Sequence, residues 1–139
     1  MSRMFPRGFT EKRLLIVDSD VTHGHMLATV FSPAGYRVDV VPHQEALAVL
    51  SERGRAYENV VVRATPEQST LSAADRLGEF VLRYLSQTIP ELLPHTVVLT
   101  TLPEARRNFP AVRAVIEEPF DLAALVAEVA AAPRPPRSA

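Results

Sequence analysis

Cysteine and tryptophan are absent from this chain of 139 residues, and lysine occurs once, at Lys12. Without cysteine the chain can form no disulfide and no thiolate metal site, which fits a reducing compartment. No apolar run in the sequence approaches the roughly 20 residues of a membrane-spanning helix, and residues 1–9 lack the apolar stretch of a signal peptide. The net charge of −1 gives no overall field that favours nucleic acid or an anionic membrane. We therefore expect a cytoplasmic protein that binds neither nucleic acid nor membrane.

The remaining composition is that of one globular domain, with 47% hydrophobic and 22% charged residues. Only five glycines occur, and none belongs to a Gly-rich phosphate-binding loop. We expect a flexible lead-in over residues 1–11, one domain over residues 12–132, and a tail rich in proline and arginine over residues 133–139. The tail is either a disordered end or a linear binding motif.

Short strand patterns alternate with helical patterns along the whole domain. The predicted strands are residues 13–17, 36–41, 59–62, 96–99 and 114–116. The predicted helices are residues 21–31, residues 43–53, a segment from 72 that ends before Pro90, and a segment that follows Asp121. Such alternation predicts an α/β fold in which helices cover both faces of a parallel, doubly wound sheet.

Apolar residues at helical spacing predict which helix faces are buried. These residues are Met26, Leu27, Val30 and Phe31 in the first helix, Ala46, Leu47, Val49 and Leu50 in the second, Leu77, Phe80, Val81, Tyr84 and Leu85 in the third, and Leu122, Leu125, Val126 and Val129 in the last.

The first strand runs straight into polar residues. Residues 14–17 are apolar, as expected of a strand buried on both faces, and Asp18, Ser19 and Asp20 follow directly. In open α/β sheets ligands bind beyond the carboxyl ends of the strands, so these side chains mark the candidate site. Asp18 or Asp20 can also cap the helix that starts next.

In the order and spacing of its motifs the chain resembles a response-regulator receiver domain from about residue 12 to 132. The motifs are Leu-Leu-Ile-Val-Asp-Ser-Asp from Leu14, Gly-Tyr-Arg-Val from Gly35, Val-Val-Val from Val60, Val-Val-Leu-Thr from Val97, and Glu-Pro-Phe-Asp from Glu118. The resemblance implies the flavodoxin-like strand order 2-1-3-4-5.

The resemblance also implies where a phosphorylation site would lie, and several positions depart from it. A working receiver holds Mg²⁺ with two acids after strand one, and here these positions are Asp18 and Ser19. The aspartate that accepts the phosphoryl group is replaced by Arg63, and the lysine that precedes Pro-Phe is replaced by Glu118. Thr100 keeps the hydroxyl that ends strand four.

These departures predict a pocket without phosphotransfer chemistry. A guanidinium stays protonated and cannot attack phosphorus. We expect Arg63 and Glu118 to form a salt bridge that can be bidentate. Asp18 would be a second acceptor for the guanidinium of Arg63. We therefore predict no metal, no cofactor, no catalytic residue and no phosphorylation of an aspartate.

Neither the four histidines nor a serine–histidine–aspartate triad is predicted to have a catalytic role. His23 and His25 lie two positions apart on different faces of a helix, so we interpret them, together with His43 and His95, as solvated surface groups. Ser19, His23 and Asp20 could be written as a catalytic triad, but no nucleophile elbow or oxyanion-hole motif accompanies them.

The sequence thus predicts a non-enzymatic pseudo-receiver that acts as a protein–protein interaction module in bacterial two-component, phosphorelay-type signalling. Its partner would be a kinase, a regulator or a localisation factor. One alternative is a receiver-fold regulatory domain in which Arg63 binds a small anionic ligand. The other, a true phospho-accepting regulator, is the least favoured.

Overall fold

A computed structural model describes residues 12–64, 71–100, 111–118 and 120–131, with backbone alone over 71–79. The strands are β1 (Lys12–Val17), β2 (Tyr36–Val41), β3 (Asn59–Arg63), β4 (Thr96–Thr100) and β5 (Ala114–Glu117). They form one sheet in the order β2-β1-β3-β4-β5, and all four neighbouring pairs are parallel. The predicted fold and strand order are confirmed.

In the described part of the chain, four α-helices connect and flank the strands. They are α1 (Val21–Phe31), α2 (His43–Arg53), α3 (Leu71–Thr88) and α4 (Leu122–Ala130). One-turn or two-turn 3₁₀ segments follow α1, α2 and α3, at Ser32–Ala34, Gly54–Ala56 and Pro90–His95. Among the described residues, none of the helices is long and apolar enough to cross a membrane.

The sheet separates two apolar cores because successive strand residues point to opposite faces. On one face, α2 and α3 cover Leu15, Val17 and their neighbours. On the other face, α1 and α4 cover Leu14, Ile16 and their neighbours. Residues 14–17 are fully buried, which confirms that β1 is enclosed on both faces. Every strand therefore delivers its last residues to one shared edge of the sheet.

Helix ends follow the sequence signals closely. Asp20 is the N-cap of α1 and accepts a hydrogen bond from the backbone of His23, and Asp121 caps α4 through the amide of Ala123. Gly35 ends the turn after α1 in the left-handed conformation, with φ of 98°, which a residue with Cβ adopts at a cost. These caps set the direction in which α1 and α4 leave the sheet edge.

Three of the predicted buried side chains are wrong. Met26 and Leu47 are more than one-third exposed, and Phe80 is 57% exposed. In each case the residue lies at the margin of the apolar stripe. More central residues of the same helices, such as Leu27, Leu50 and Leu85, are buried and pack the helix against the sheet. The prediction for Leu77 lies outside the described side chains, as do the predictions for residues 1–11 and for the tail.

Candidate functional site

The carboxyl edge of the sheet carries a network of polar side chains around Asp18. This carboxylate follows β1 directly, and the residue is only 3% exposed. It accepts hydrogen bonds from the amide of Asp20 at 2.9 Å and from Nδ1 of His23 at 2.5 Å, and a weaker contact from Nη1 of Arg63 at 3.4 Å. Three donors satisfy a carboxylate that would otherwise be costly to bury.

Arg63, the last residue of β3, binds Glu118 across the sheet edge. Its Nε donates to Oε2 at 3.0 Å and its Nη2 to Oε1 at 3.2 Å, so the contact is bidentate. The Arg63 side chain is 18% exposed and that of Glu118 is 13% exposed. The predicted ion pair is therefore present, with Asp18 as the second acceptor.

Three carboxylates lie within 3.8 Å of the guanidinium of Arg63. The carboxylate of Asp20 lies 3.8 Å from Nη1, in addition to those of Asp18 and Glu118. Burial lowers the pKa of Arg63, but its hydrogen bonds with Glu118 and Asp18 and the charges of these two residues raise that pKa above its ordinary value. The guanidinium is thus a permanent cation in this pocket.

Thr100 closes the network at the end of β4. It is fully buried, and its hydroxyl donates to the carbonyl of Ala64 at 3.3 Å. The amide of Glu118 in turn donates to the carbonyl of Thr100 at 2.9 Å, which sets the position of Glu118 opposite Arg63. Thr100 thus ties the ends of β3, β4 and β5 together.

His43 is not the surface group that the sequence suggested. It is 8% exposed, and its Nε2 lies 2.6 Å from the carbonyl oxygen of Arg63. Its Nδ1 lies 2.6 Å from the hydroxyl of Ser19, and its amide donates to the same hydroxyl at 3.1 Å. His43 therefore joins the loop after β1, the start of α2 and the end of β3.

His23 also belongs to the site, contrary to the sequence interpretation. Its side chain is 18% exposed, bound to Asp18 and packed edge-on against Phe120 at 6.4 Å between ring centres. His25 is exposed and His95 is half-buried. The topology contained a signal for His43, because it follows Pro42 at the end of β2, which neighbours β1 in this fold. No comparable signal marked His23.

The structure brings together all five residues predicted for the pocket, namely Asp18, Ser19, Arg63, Thr100 and Glu118. It adds His23, His43 and Asp20. Among the residues that the structure describes, no group of three or more histidine and acidic side chains is arranged to hold a metal ion.

Comparisons with known proteins point to one fold. No protein-family model matches the sequence, and no curated protein does. The chain is similar in structure to the signal receiver domain of an HD domain-containing protein from Pseudomonas fluorescens Pf-5, with a TM-score of 0.67 and 21% identity over 86% of this chain and 92% of that one.

Two further solved structures show the same likeness. One is the signal receiver domain of a putative Luxo repressor protein from Vibrio parahaemolyticus, with a TM-score of 0.68 and 16% identity over 87% of this chain and 88% of that one. The other is a CheY-like response regulator receiver domain protein from Methanospirillum hungatei JF-1, with a TM-score of 0.68 and 18% identity over 86% and 91%. The chain has the fold of response-regulator receiver domains.

Proposed function

We propose that this protein is a pseudo-receiver, a phosphorylation-independent interaction module of bacterial two-component, phosphorelay-type signalling in the cytoplasm. The observation that carries the proposal is the position of Arg63. It ends β3, where the receiver family places its phosphoryl acceptor, and it is held by Glu118 and Asp18.

The chemistry of Arg63 opposes phosphoryl transfer at this position. A phospho-accepting carboxylate attacks phosphorus with an oxygen lone pair, whereas a protonated guanidinium has only donors. The raised pKa of Arg63 keeps it in that form. Glu118, where the family carries a lysine, would also repel an incoming phosphoryl group.

The state of Asp18 opposes magnesium binding. Mg²⁺ needs oxygen ligands in near-octahedral geometry, and the receiver family supplies two acids after strand one. Here Ser19 stands in place of the second acid, and its hydroxyl contacts His43. Asp18 is already occupied by three donors, one of them the cationic Arg63. The pocket is thus ordered by its own ion pairs, where a receiver would use metal and phosphate.

A domain of this kind acts by binding a protein partner. With the acceptor and the metal ligand replaced, the receiver surface remains as a rigid scaffold for docking a kinase, a regulator or a localisation factor. Binding would be constitutive, because no phosphoryl group alters the pocket.

The anion-binding alternative is less well supported. Nε and Nη2 of Arg63 are committed to Glu118, and Nη1 faces Asp18. An anion would have to displace the carboxylate of Glu118, which the fold already holds beside the guanidinium. A true phospho-acceptor remains the weakest candidate, because it would need an acceptor other than Arg63.

A thermal-shift series tests the proposal directly. The protein is melted alone, with Mg²⁺, with Mg²⁺ plus beryllofluoride, and with phosphate, acetate and nucleotides. We expect no stabilisation by beryllofluoride, and stabilisation by it would overturn the proposal. An anion-specific shift that disappears in Arg63→Ala would favour the ligand-binding alternative.

A pull-down then addresses the docking role. The immobilised domain is exposed to lysate with and without beryllofluoride, and retained proteins are compared with those on Glu118→Ala. The proposal requires a partner whose retention does not change with beryllofluoride. Retention that depends on beryllofluoride would indicate a conventional receiver.

A further inference from the structure

Ser19, His43 and the carbonyl of Arg63 form a chain of hydrogen bonds that the proposed docking function does not use. The hydroxyl oxygen of Ser19 lies 2.6 Å from Nδ1 of His43, and Nε2 of the same ring lies 2.6 Å from the carbonyl oxygen of Arg63. The three groups come from the ends of three neighbouring strands, β1, β2 and β3. They are therefore held by the sheet itself.

Proton positions in this chain follow from the nature of its ends. A backbone carbonyl can only accept, so Nε2 of His43 carries the hydrogen that it donates to Arg63. In the neutral ring Nδ1 is then an acceptor, and the Ser19 hydroxyl donates to it. This is the arrangement of a nucleophile, a base and an orienting group.

Exposure divides the roles within the pair. The imidazole of His43 belongs to a residue that is 8% exposed, whereas Ser19 is an exposed residue. The pair thus lies at the surface on the side of Ser19, while the imidazole is buried. The amide of His43, the first residue of α2, donates to the Ser19 hydroxyl at 3.1 Å, so the positive end of the α2 dipole faces this oxygen.

We propose that Ser19 is an activated hydroxyl that accepts acyl groups from activated esters, with His43 as the general base. The oxygen of Ser19 bonds to the acyl carbon while its proton passes to Nδ1 of His43. The bond from the acyl carbon to the alkoxide or phenoxide leaving group breaks, and that group departs with the electron pair. The imidazolium then releases the proton to the leaving group or to water.

Charge in the pocket favours acyl over phosphoryl groups. An acyl ester on Ser19 is neutral. A phosphate monoester would add nearly two negative charges beside Asp18 and Asp20. Arg63, the one cation of this pocket among the described residues, is already paired with Glu118. Acylated Ser19 would also lose the proton that it donates to His43, so modification would loosen the link between β1 and α2.

Other hydroxyls of the chain serve as internal references. Ser51 and Ser32 donate to helix carbonyls at 2.9 Å and 3.0 Å, and Thr29 does the same. A carbonyl cannot take the proton of an attacking hydroxyl. These residues therefore lack the feature that should activate Ser19.

The test is covalent labelling of the intact protein with an alkyl ethoxy-fluorophosphonate, which leaves a neutral phosphonate on serine, followed by peptide mass spectrometry. We expect Ser19 to be labelled at least about tenfold faster than Ser51. A parallel incubation with p-nitrophenyl acetate should acetylate Ser19, and one with phosphoramidate should leave it unmodified. Equal labelling of Ser19 and Ser51 would overturn the proposal, and phosphorylation of Ser19 would overturn the assignment to acyl groups.

Variants separate the base from a structural role of His43. His43→Gln keeps an acceptor for the Ser19 hydroxyl but cannot take its proton, so labelling should fall at least about tenfold while circular dichroism stays unchanged. Unchanged labelling in folded His43→Gln would show that His43 only positions the loop. The comparison of Ser19 with Ser51 in the unaltered protein stands even if that variant fails to fold.

Discussion

At the scale of single residues, the site depends on the ion pair between Arg63 at the end of β3 and Glu118 after β5. Because both side chains are mostly buried, each charge has lost much of its hydration and depends on the other. Removing Glu118 takes away the bidentate partner of Arg63 and leaves only its longer contacts with Asp18 and Asp20.

Glu118→Ala is therefore expected to lower the free energy of unfolding by about 2–3 kcal/mol. The matched control is Glu117→Ala, because Glu117 is the preceding residue and is exposed. It should change stability by no more than about 0.5 kcal/mol. Urea denaturation of the two variants beside the unaltered protein gives both values. Equal stability of Glu118→Ala and the unaltered protein would contradict the role assigned to this ion pair.

The residue scale also shows which side chains sequence reasoning placed correctly. The pairing of Arg63 with Glu118 was predictable, because two opposite charges replace two opposite charges at strand ends that must meet. The roles of His23 and His43 were not predicted. Imidazoles occur on surfaces and in pockets alike. The place of His43 just after β2 was a signal for that residue, whereas only the position of α1 on the sheet decides where His23 lies.

At the scale of elements, α1 approaches the sheet closely at Gly24. A Cβ added there would lie 2.7 Å from Cγ1 of Val40 and 3.5 Å from Cβ of Asp18. The branched side chain of Val40 on β2 has little freedom to move away. The missing side chain thus lets α1 sit low enough to bring His23 to Asp18.

Gly24→Ala should destabilise the protein by about 1–3 kcal/mol, even though alanine favours helix by about 1 kcal/mol relative to glycine. Adding Val40→Ala should recover part of this loss, because the crowded methyl is removed. The check is a double-mutant cycle by chemical denaturation. If Gly24→Ala stabilises the protein, the close approach of α1 to β2 is not as described.

At the opposite edge of the sheet, Tyr57 precedes β3 and links it to β2. Its hydroxyl donates to Oδ2 of Asp39 at 2.6 Å, and the residue is 3% exposed. Burial, followed by the hydrogen bond and the charge of Asp39, raises the pKa of Tyr57. Burial and then Glu58 raise the pKa of Tyr36 on β2.

These shifts predict a loss of stability at alkaline pH. A folded-state pKa above the unfolded value means that the native state keeps its proton after the unfolded chain has lost it. The contribution is therefore complete below pH of about 10 and is lost as pH rises through the folded pKa. Tyr57→Phe should be less stable at neutral pH but should lose less stability above pH of about 10 than the unaltered protein. Urea denaturation at both pH values measures this, and identical pH dependence would argue against a raised pKa.

At the scale of the whole molecule, the doubly wound sheet collects five strand ends at one edge and encloses them between two apolar cores. The two cores that hold this scaffold are built from apolar residues outside the polar network. The receiver geometry should thus remain available to the residues that the family uses for metal and phosphoryl binding.

Restoring those residues is expected to restore the response to a phosphoryl analogue. The triple variant Ser19→Asp, Arg63→Asp and Glu118→Lys replaces the three departures from the family pattern and frees Asp18 from Arg63. We expect Mg²⁺ plus beryllofluoride to raise its melting temperature by about 2 °C or more. The same variant with Asp18→Asn is the control and should show no rise. A triple variant that folds but does not respond would mean that the backbone of the pocket has also diverged.

The sequence by itself determined the order of the elements and the reversed ion pair. Periodicity, caps and apolar runs act over short distances, so they predicted helix and strand positions, and β1 in particular, closely. Three helix residues at the edges of their stripes were placed wrongly, because Met26, Leu47 and Phe80 are as apolar as their buried neighbours.

Only the tertiary structure decided which polar groups meet at the sheet edge. Hydrogen bonds between Asp18 and His23, and from Ser19 through His43 to Arg63, join groups whose contact depends on how helices dock, at distances set within a few tenths of an ångström. No periodic pattern encodes such docking. The sequence therefore predicted a pocket without phosphotransfer chemistry after β1, and the structure showed which contacts its polar side chains make.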